Sequence, residues 1–153
     1  MKLISTGAHP AFAFCLCAAV VLATTNTGRT QQDDYATCVA EQYDRVKTDA
    51  EIARTIGACT RVIDRPSVMA EQRARAYYFR GLNHFLDAVG LAIAGMKPLA
   101  SDLDAARSPV KAALADLAAC IAVAPEPSPF PFSLRATIHT ALEQYDPALS
   151  DLE

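Results

Sequence analysis

The chain has 153 residues, a length that suits a single domain, and a formal net charge of −3. No basic stripe runs along it, which argues against nucleic acid as a partner. Apolar residues make up 52% of the sequence. Ala supplies much of that fraction and β-branched alternation is missing, so the composition favours helices over strands.

The first segment, MKLISTGAHPAFAFCLCAAVVLATTNTG, carries Lys2 and then an apolar run from Ala11 to Ala23. That run has the size of a signal-peptide core and is short of the roughly 20 residues a spanning helix needs. Val21 and Ala23 fit the small −3 and −1 positions of a cleavage site. Residues 1–23 therefore read as a signal peptide cut near Ala23–Thr24, and residues 24–34 as a flexible polar segment. A buried N-terminal helix is the alternative. Cys15 and Cys17 come directly after Phe14 and Leu16, whereas a lipidated Cys needs a small residue before it, so no lipid anchor is expected. The expectation is an exported protein, periplasmic or secreted, with no stable membrane anchor.

From Tyr35 the apolar positions Tyr35, Cys38, Val39, Tyr43 and Val46 keep helical spacing. Thr48 with Glu51 is a capping box, so a second helix starts near Asp49 and carries Ile52, Ile56, Cys59, Val62 and Ile63 on one face. Arg65-Pro66 ends it, because Pro disfavours α conformation in the residue before it. Ser67 opens a longer helix that Gly90 and Gly95 weaken and Pro98 stops. Ser101 and Asp104 suggest a short turn. Ser108-Pro109 then starts the next helix with Pro at its first position, and Val110, Leu114, Leu117 and Ile121 form its apolar face. Pro125 to Pro131 read as a loop, with Phe130 and Phe132 stapling the last two helices to the helix before them. Those last helices run from Ser133 to Leu142 and from Asp146 onward. The expected fold class is all-α, over residues 35–153.

Two parts of this helical stretch repeat. Ala148-Leu149-x-Asp151-Leu152 matches Ala113-Leu114-x-Asp116-Leu117 at an offset of 35 residues. Arg135-Ala136 and His139 in turn match Arg80-Gly81 and His84. The pattern resembles the tetratricopeptide repeat family, whose period is about 34 residues. Its aromatic, small and apolar positions fall on Tyr77, Gly81, His84, Ala113, Leu117, Cys120 and Pro125 in a middle unit, and on Ala136, His139, Ala148 and Leu152 in a last unit cut short at its second helix. Ile56, Cys59, Val62 and Pro66 fit an earlier unit. The middle unit departs from the family by an insertion of about 24 residues, near 87–111. The resemblance implies antiparallel helix–turn–helix repeats stacked as an α-solenoid, with small residues at Gly81, Ala136 and Cys120 letting helices approach.

Cys38 and Cys59 lie ten residues before and eleven after Thr48. In an antiparallel hairpin those positions are level and both fall on apolar stripes, which in an oxidising compartment predicts a disulfide. Two buried free thiols are the alternative. Cys120 at a small-residue position reads as core. His84 and His139 share a repeat position expected to face the seam between helices. No third group is placed to orient a Cys–His pair, the Asp spacing is not that of a calcium loop, and no Gly-rich phosphate loop occurs. The expectation is a protein that is not an enzyme and holds no metal or cofactor. The resemblance implies a concave groove lined by first helices, where Arg80, Arg135 and Arg73 would contact a peptide or protein partner in the cell envelope. The alternative is a small disulfide-stabilised helical bundle that binds an apolar small molecule against Ala88 to Leu99.

Overall fold

The structure, a computed structural model, describes residues 30–40, 47–94 and 103–153, with backbone alone at 91–94 and 103–107. The signal-peptide segment and its cleavage site, like residues 41–46 of the first apolar stripe, lie outside the described residues. The chain divides into two compact parts, Met1–Asp33 and Asp34–Glu153. Residues 30–33 are what is described of the first, and they are helical. Among the described residues the chain is all-helical, with no strand.

Helix α1 covers residues 30–38, α2 Asp49–Ile63, α3 Ala70–Ala94, α4 Leu103–Val123, α5 Pro129–Ala141 and α6 Tyr145–Ser150. Helix α2 starts where its capping box directs. The Thr48 amide donates to Glu51 Oε2 at 2.9 Å, and the Glu51 amide donates back to Thr48 Oγ1 at 3.4 Å. Each of α2 to α5 packs on its successor, and α3 also touches α5.

Helix α1 begins at residue 30, inside the stretch expected to be flexible, and ends at residue 38, short of the expected stripe to Val46. Two further boundaries differ from the sequence expectation, both at prolines. Helix α4 begins at Leu103, so Pro109 sits inside it and not at its first position. Its missing N–H falls two turns in, and the long antiparallel packing of α4 on α3 overrides that local loss. Helix α5 begins at Pro129, four residues ahead of Ser133. Pro129 and Pro131 both lie in its first turn, where amides have no intrahelical acceptor, so neither removes a bond. The expected loop is therefore partly helix. Phe130 is 67% exposed and staples nothing, since the helical turn points its ring outward. Within the insertion near 87–111, α3 runs on to Ala94 as expected, and the expected short turn at Ser101 and Asp104 is instead the start of α4, which begins at Leu103.

Two apolar clusters form the core. Cys38, Ala58, Cys59, Val62, Ala76 and Phe79 join α1, α2 and α3, and Ala88, Val110, Ala113, Leu117 and Ile138 join α3, α4 and α5. Tyr78 packs against both. The expected disulfide links Cys38 to Cys59 with their Cα atoms 4.7 Å apart. It fixes α1 to α2, and two further contacts reinforce that join. Asp34 accepts from Arg61 Nε at 3.0 Å and also pairs with Arg65.

The turn between α5 and α6 is tight. Leu142 caps α5, the Glu143 amide donates to Thr140 O at 3.0 Å and the Gln144 amide to His139 O at 2.9 Å. This is a Schellman motif with Glu143 at the left-handed position, φ 60°, where glycine is the usual occupant.

Candidate functional site

The residues singled out in the sequence fall into two equivalent constructions. In the middle unit Arg80, on α3, reaches Asp116, on α4. Its Nε donates to Asp116 Oδ2 at 2.9 Å and its Nη2 to Oδ1 at 2.7 Å. Nη1 donates to Thr60 Oγ1 of α2 at 3.1 Å, and the guanidinium lies 5.5 Å from the centre of the Tyr77 ring. In the last unit Arg135, on α5, reaches Asp151 just past α6. Its Nε donates to Asp151 Oδ2 at 2.7 Å, its Nη2 pairs with Oδ1, and its guanidinium lies 5.6 Å from the Phe132 ring centre. Both are bidentate forks backed by an aromatic residue one turn earlier on the same helix.

Local structure explains why the arrangement recurs. A spacing of three residues puts Tyr77 under Arg80 and Phe132 under Arg135 on one helix face. Asp116 and Asp151 stand at the same position of the second-helix motif. Gly81 and Ala136, next to each arginine, are the small residues of the seam. A Cβ added at Gly81 would come within 3.2 Å of the Ala113 carbonyl oxygen and 3.3 Å of Asp116 Cβ. Glycine is thus what allows α3 and α4 to approach closely enough for the fork to close.

The electrostatics match the geometry. Hydrogen bonding to Asp116 raises the Arg80 pKa against the opposing effect of burial, and Asp151 does the same for Arg135. The Asp151 carboxyl is held below the ordinary carboxylate value, chiefly by the Arg135 hydrogen bonds. His84 Nε2 sits 3.9 Å from Asp116 Oδ2, beyond hydrogen-bond reach. Burial pushes its pKa down and Arg80 adds to that, while Asp116 opposes. At that distance Asp116, held by Arg80, makes no hydrogen bond that would orient the His84 ring.

His139 does not share the setting of His84. Its Nδ1 lies 2.8 Å from Gln144 Oε1, so it braces the α5–α6 turn and not the seam. The two first helices diverge there because α3 runs on for several turns while α5 stops. Cys120 is buried, and burial pushes its thiol pKa up, which leaves it a protonated, weakly nucleophilic core group.

Arg73 does not join the other two arginines. Its Nη2 donates to Arg65 O at 2.9 Å, tying the start of α3 to the α2–α3 turn, and its Nε is buried without a partner. Among the described residues no group of three metal-ligating side chains lies together, and no helix is long and apolar enough to cross a membrane. Most of Ala88 to Leu99, the expected lining for an apolar small molecule, lies outside the described side chains.

Sequence reasoning missed two polar side chains. Asn83 is fully buried in α3, donates to Phe79 O at 2.7 Å and accepts from Lys47 Nζ at 3.2 Å. Its signal was a polar residue at core spacing after Ala76 and Phe79. Asp34 falls in the segment expected to be flexible, and nothing in its neighbourhood marks it as the partner of two arginines from α2 and its C-terminal turn. No family model, no curated protein and no solved structure matches the chain, so its own internal repeat carries the functional reading.

Proposed function

We propose that the chain is a non-catalytic, exported scaffold of tetratricopeptide-like repeats that holds a peptide or protein segment along its first helices. The observation that carries this reading is the recurrence of one complete unit: aromatic, Arg and small residue on a first helix, Ala-Leu-x-Asp-Leu on the second, joined by a fork. The direct contact of α3 with α5 supports it, since a solenoid sets successive first helices side by side. Side-by-side first helices make a groove wall, and α3 and α5 leave Arg75, Leu86, Ser133 and Thr137 exposed to line it. The Cys38–Cys59 disulfide is compatible with an oxidising compartment.

In this reading Arg80 and Arg135 stand beneath the groove. Each guanidinium is largely neutralised by its own Asp, so its first role is to fix the spacing of two helices. A partner carboxylate would meet what remains of the fork, and Arg73 at the start of α3 would mark the groove's end. Neither arginine pair has the geometry of a nucleophile and base, which is why a binding role fits better than a catalytic one.

Site-specific photo-crosslinking in the native host tests the proposal. A crosslinker at Arg75 or Thr137, on first helices, is expected to give one shared adduct. The same group at Ala53 or Ala118, exposed on second helices, should not. Equal labelling from both sets of positions would refute groove binding.

A further inference from the structure

The molecule repeats one way of burying an arginine. Among the described residues the half-buried arginines are Arg65, Arg73, Arg80 and Arg135. Arg65 pairs with Asp34, Arg80 forks onto Asp116 and Arg135 onto Asp151. Of the four, only Arg73 meets no carboxylate. Its one bond runs from Nη2 to the Arg65 carbonyl oxygen, and its Nε is buried with no acceptor. The carboxylates around that corner serve other arginines. Asp34 accepts from Arg61 and Arg65, Glu71 pairs with Arg75 at 3.7 Å, and Asp64 acts on Arg80.

Two physical effects bear on Arg73. It stands near the start of α3, where the positive end of the helix opposes a cation. Its buried Nε–H has lost water and made no bond in exchange. A negative ligand relieves both. An oxyanion that took Nε and Nη2 together would reproduce the fork that Asp116 and Asp151 make in the other units. Arg73 as a whole is only half-buried, so a swing away from the Arg65 carbonyl brings that edge to the surface. Arg61, exposed and one helical turn before Arg65, adds a second guanidinium to the corner.

We infer that Arg73 anchors an oxyanion site at the turn between α2 and α3, and that its ligand is a small molecule bearing a phosphate group. A planar guanidinium fork takes two oxygens of one phosphate, and its weak hydration suits that pairing. The exposed Arg61 beside it favours the doubly charged phosphate over a single carboxylate. The site does not rest on the groove proposed above: crosslinking there and binding here can fail separately.

The test titrates the full oxidised chain with inorganic phosphate and follows the arginine Nε–H signals in proton–nitrogen correlation spectra. The signal that R73K removes is the reporter. It should move along a saturable curve with a dissociation constant of about 1 mM or tighter, while chloride at equal ionic strength leaves it in place. Backbone amides that shift with it in the parent should report binding about tenfold weaker or worse in R73K, because lysine keeps the charge and loses the fork. Circular dichroism should show R73K folded as the parent is; where it does not fold, the parent reporter alone decides. A reporter that stays in place, or drifts without saturating, means an adventitious ion only and overturns the inference. So does acetate binding as tightly as phosphate, or an R73K affinity equal to that of the parent.

Discussion

Removing the carboxylate of Asp116 separates a structural role for the forks from a peripheral one. Two charge-assisted hydrogen bonds end on that side chain, and each such bond contributes about 1.5–3 kcal/mol. The Asp116 side chain is 8% exposed and that of Arg80 19%, so the pair is mostly but not wholly shielded from water. In the D116A variant Arg80 keeps its bond to Thr60 and its stacking on Tyr77, and its free N–H groups regain some water. Breaking a buried pair costs about 3–5 kcal/mol, and partial solvation places this one near the lower end. Ala is also the better helix former inside α4 by about 0.5 kcal/mol. The net expectation is a loss of about 2–3 kcal/mol, read from urea unfolding of the oxidised chain. A double-mutant cycle completes the assay. R80M alone should cost a similar amount, while R80M/D116L should return to within about 1 kcal/mol of the parent, since no charge is left stranded. A D116A loss under about 0.5 kcal/mol, or a double variant as weak as the sum of the singles, would refute the view that the fork couples α3 to α4.

Four further outcomes are expected. Replacing both Cys38 and Cys59 by Ser should lower stability by about 3 kcal/mol, the loop-closure value for a separation of 21 residues, measured by chemical denaturation. The glycines of α3 should respond oppositely: G90A meets nothing within 4 Å and should stabilise by about 0.5–1 kcal/mol, whereas G81A drives a methyl group toward a backbone oxygen and should destabilise by about 1 kcal/mol despite the same gain in helix propensity. E143G should raise the thermal midpoint, relieving about 1 kcal/mol of left-handed strain, and a lowered midpoint would count against the turn geometry. The pKa of Asp151 is depressed in the folded state, so the stability it contributes is complete above the unfolded value of about 3.8 and is lost as pH falls through the lower folded value. Unfolding measured between about pH 5 and pH 2 should therefore fall more steeply for the parent chain than for D151N.

How much of this was legible in the sequence depends on the range of the interaction. The capping box at Thr48 and Glu51 is an interaction over three residues, and it set the start of α2 correctly. The Cys38–Cys59 link spans 21 residues and was expected from two level apolar stripes; the bond is present, but α1 ends at residue 38, so equal helical rise on both sides of Thr48 is not what brings the two residues together. The helix limits at Pro109 and Pro129 were misplaced because proline was read by local rule. At Pro109 the tertiary packing of α3 on α4 decided the matter. At Pro129 and Pro131 the local rule itself allowed more, since two prolines fit one first turn. The arginines were expected to face a partner because arginine recurring in register looks like a binding residue. The aspartates recurred in the same register, at Asp116 and Asp151. Two opposite charges recurring together, one on each helix of a unit, are the sequence signature of a fork.

Register and burial together sort the residues of such a repeat. Where both recur, as at Ala113 and Ala148 or at Asp116 and Asp151, the residue serves the unit itself, and its loss should show in stability. Where position recurs and burial does not, as at Leu117 and Leu152, the same residue type is a core group in one unit and an exposed one in the other. An exposed leucine carries no stability of its own to lose, since substitutions at such surface positions usually change folding by less than about 0.5 kcal/mol. D116A and L152D should therefore separate cleanly in urea unfolding: the first should weaken folding, and the second should leave it intact. A chain in which L152D also unfolded the domain would place Leu152 among the core residues and remove the distinction.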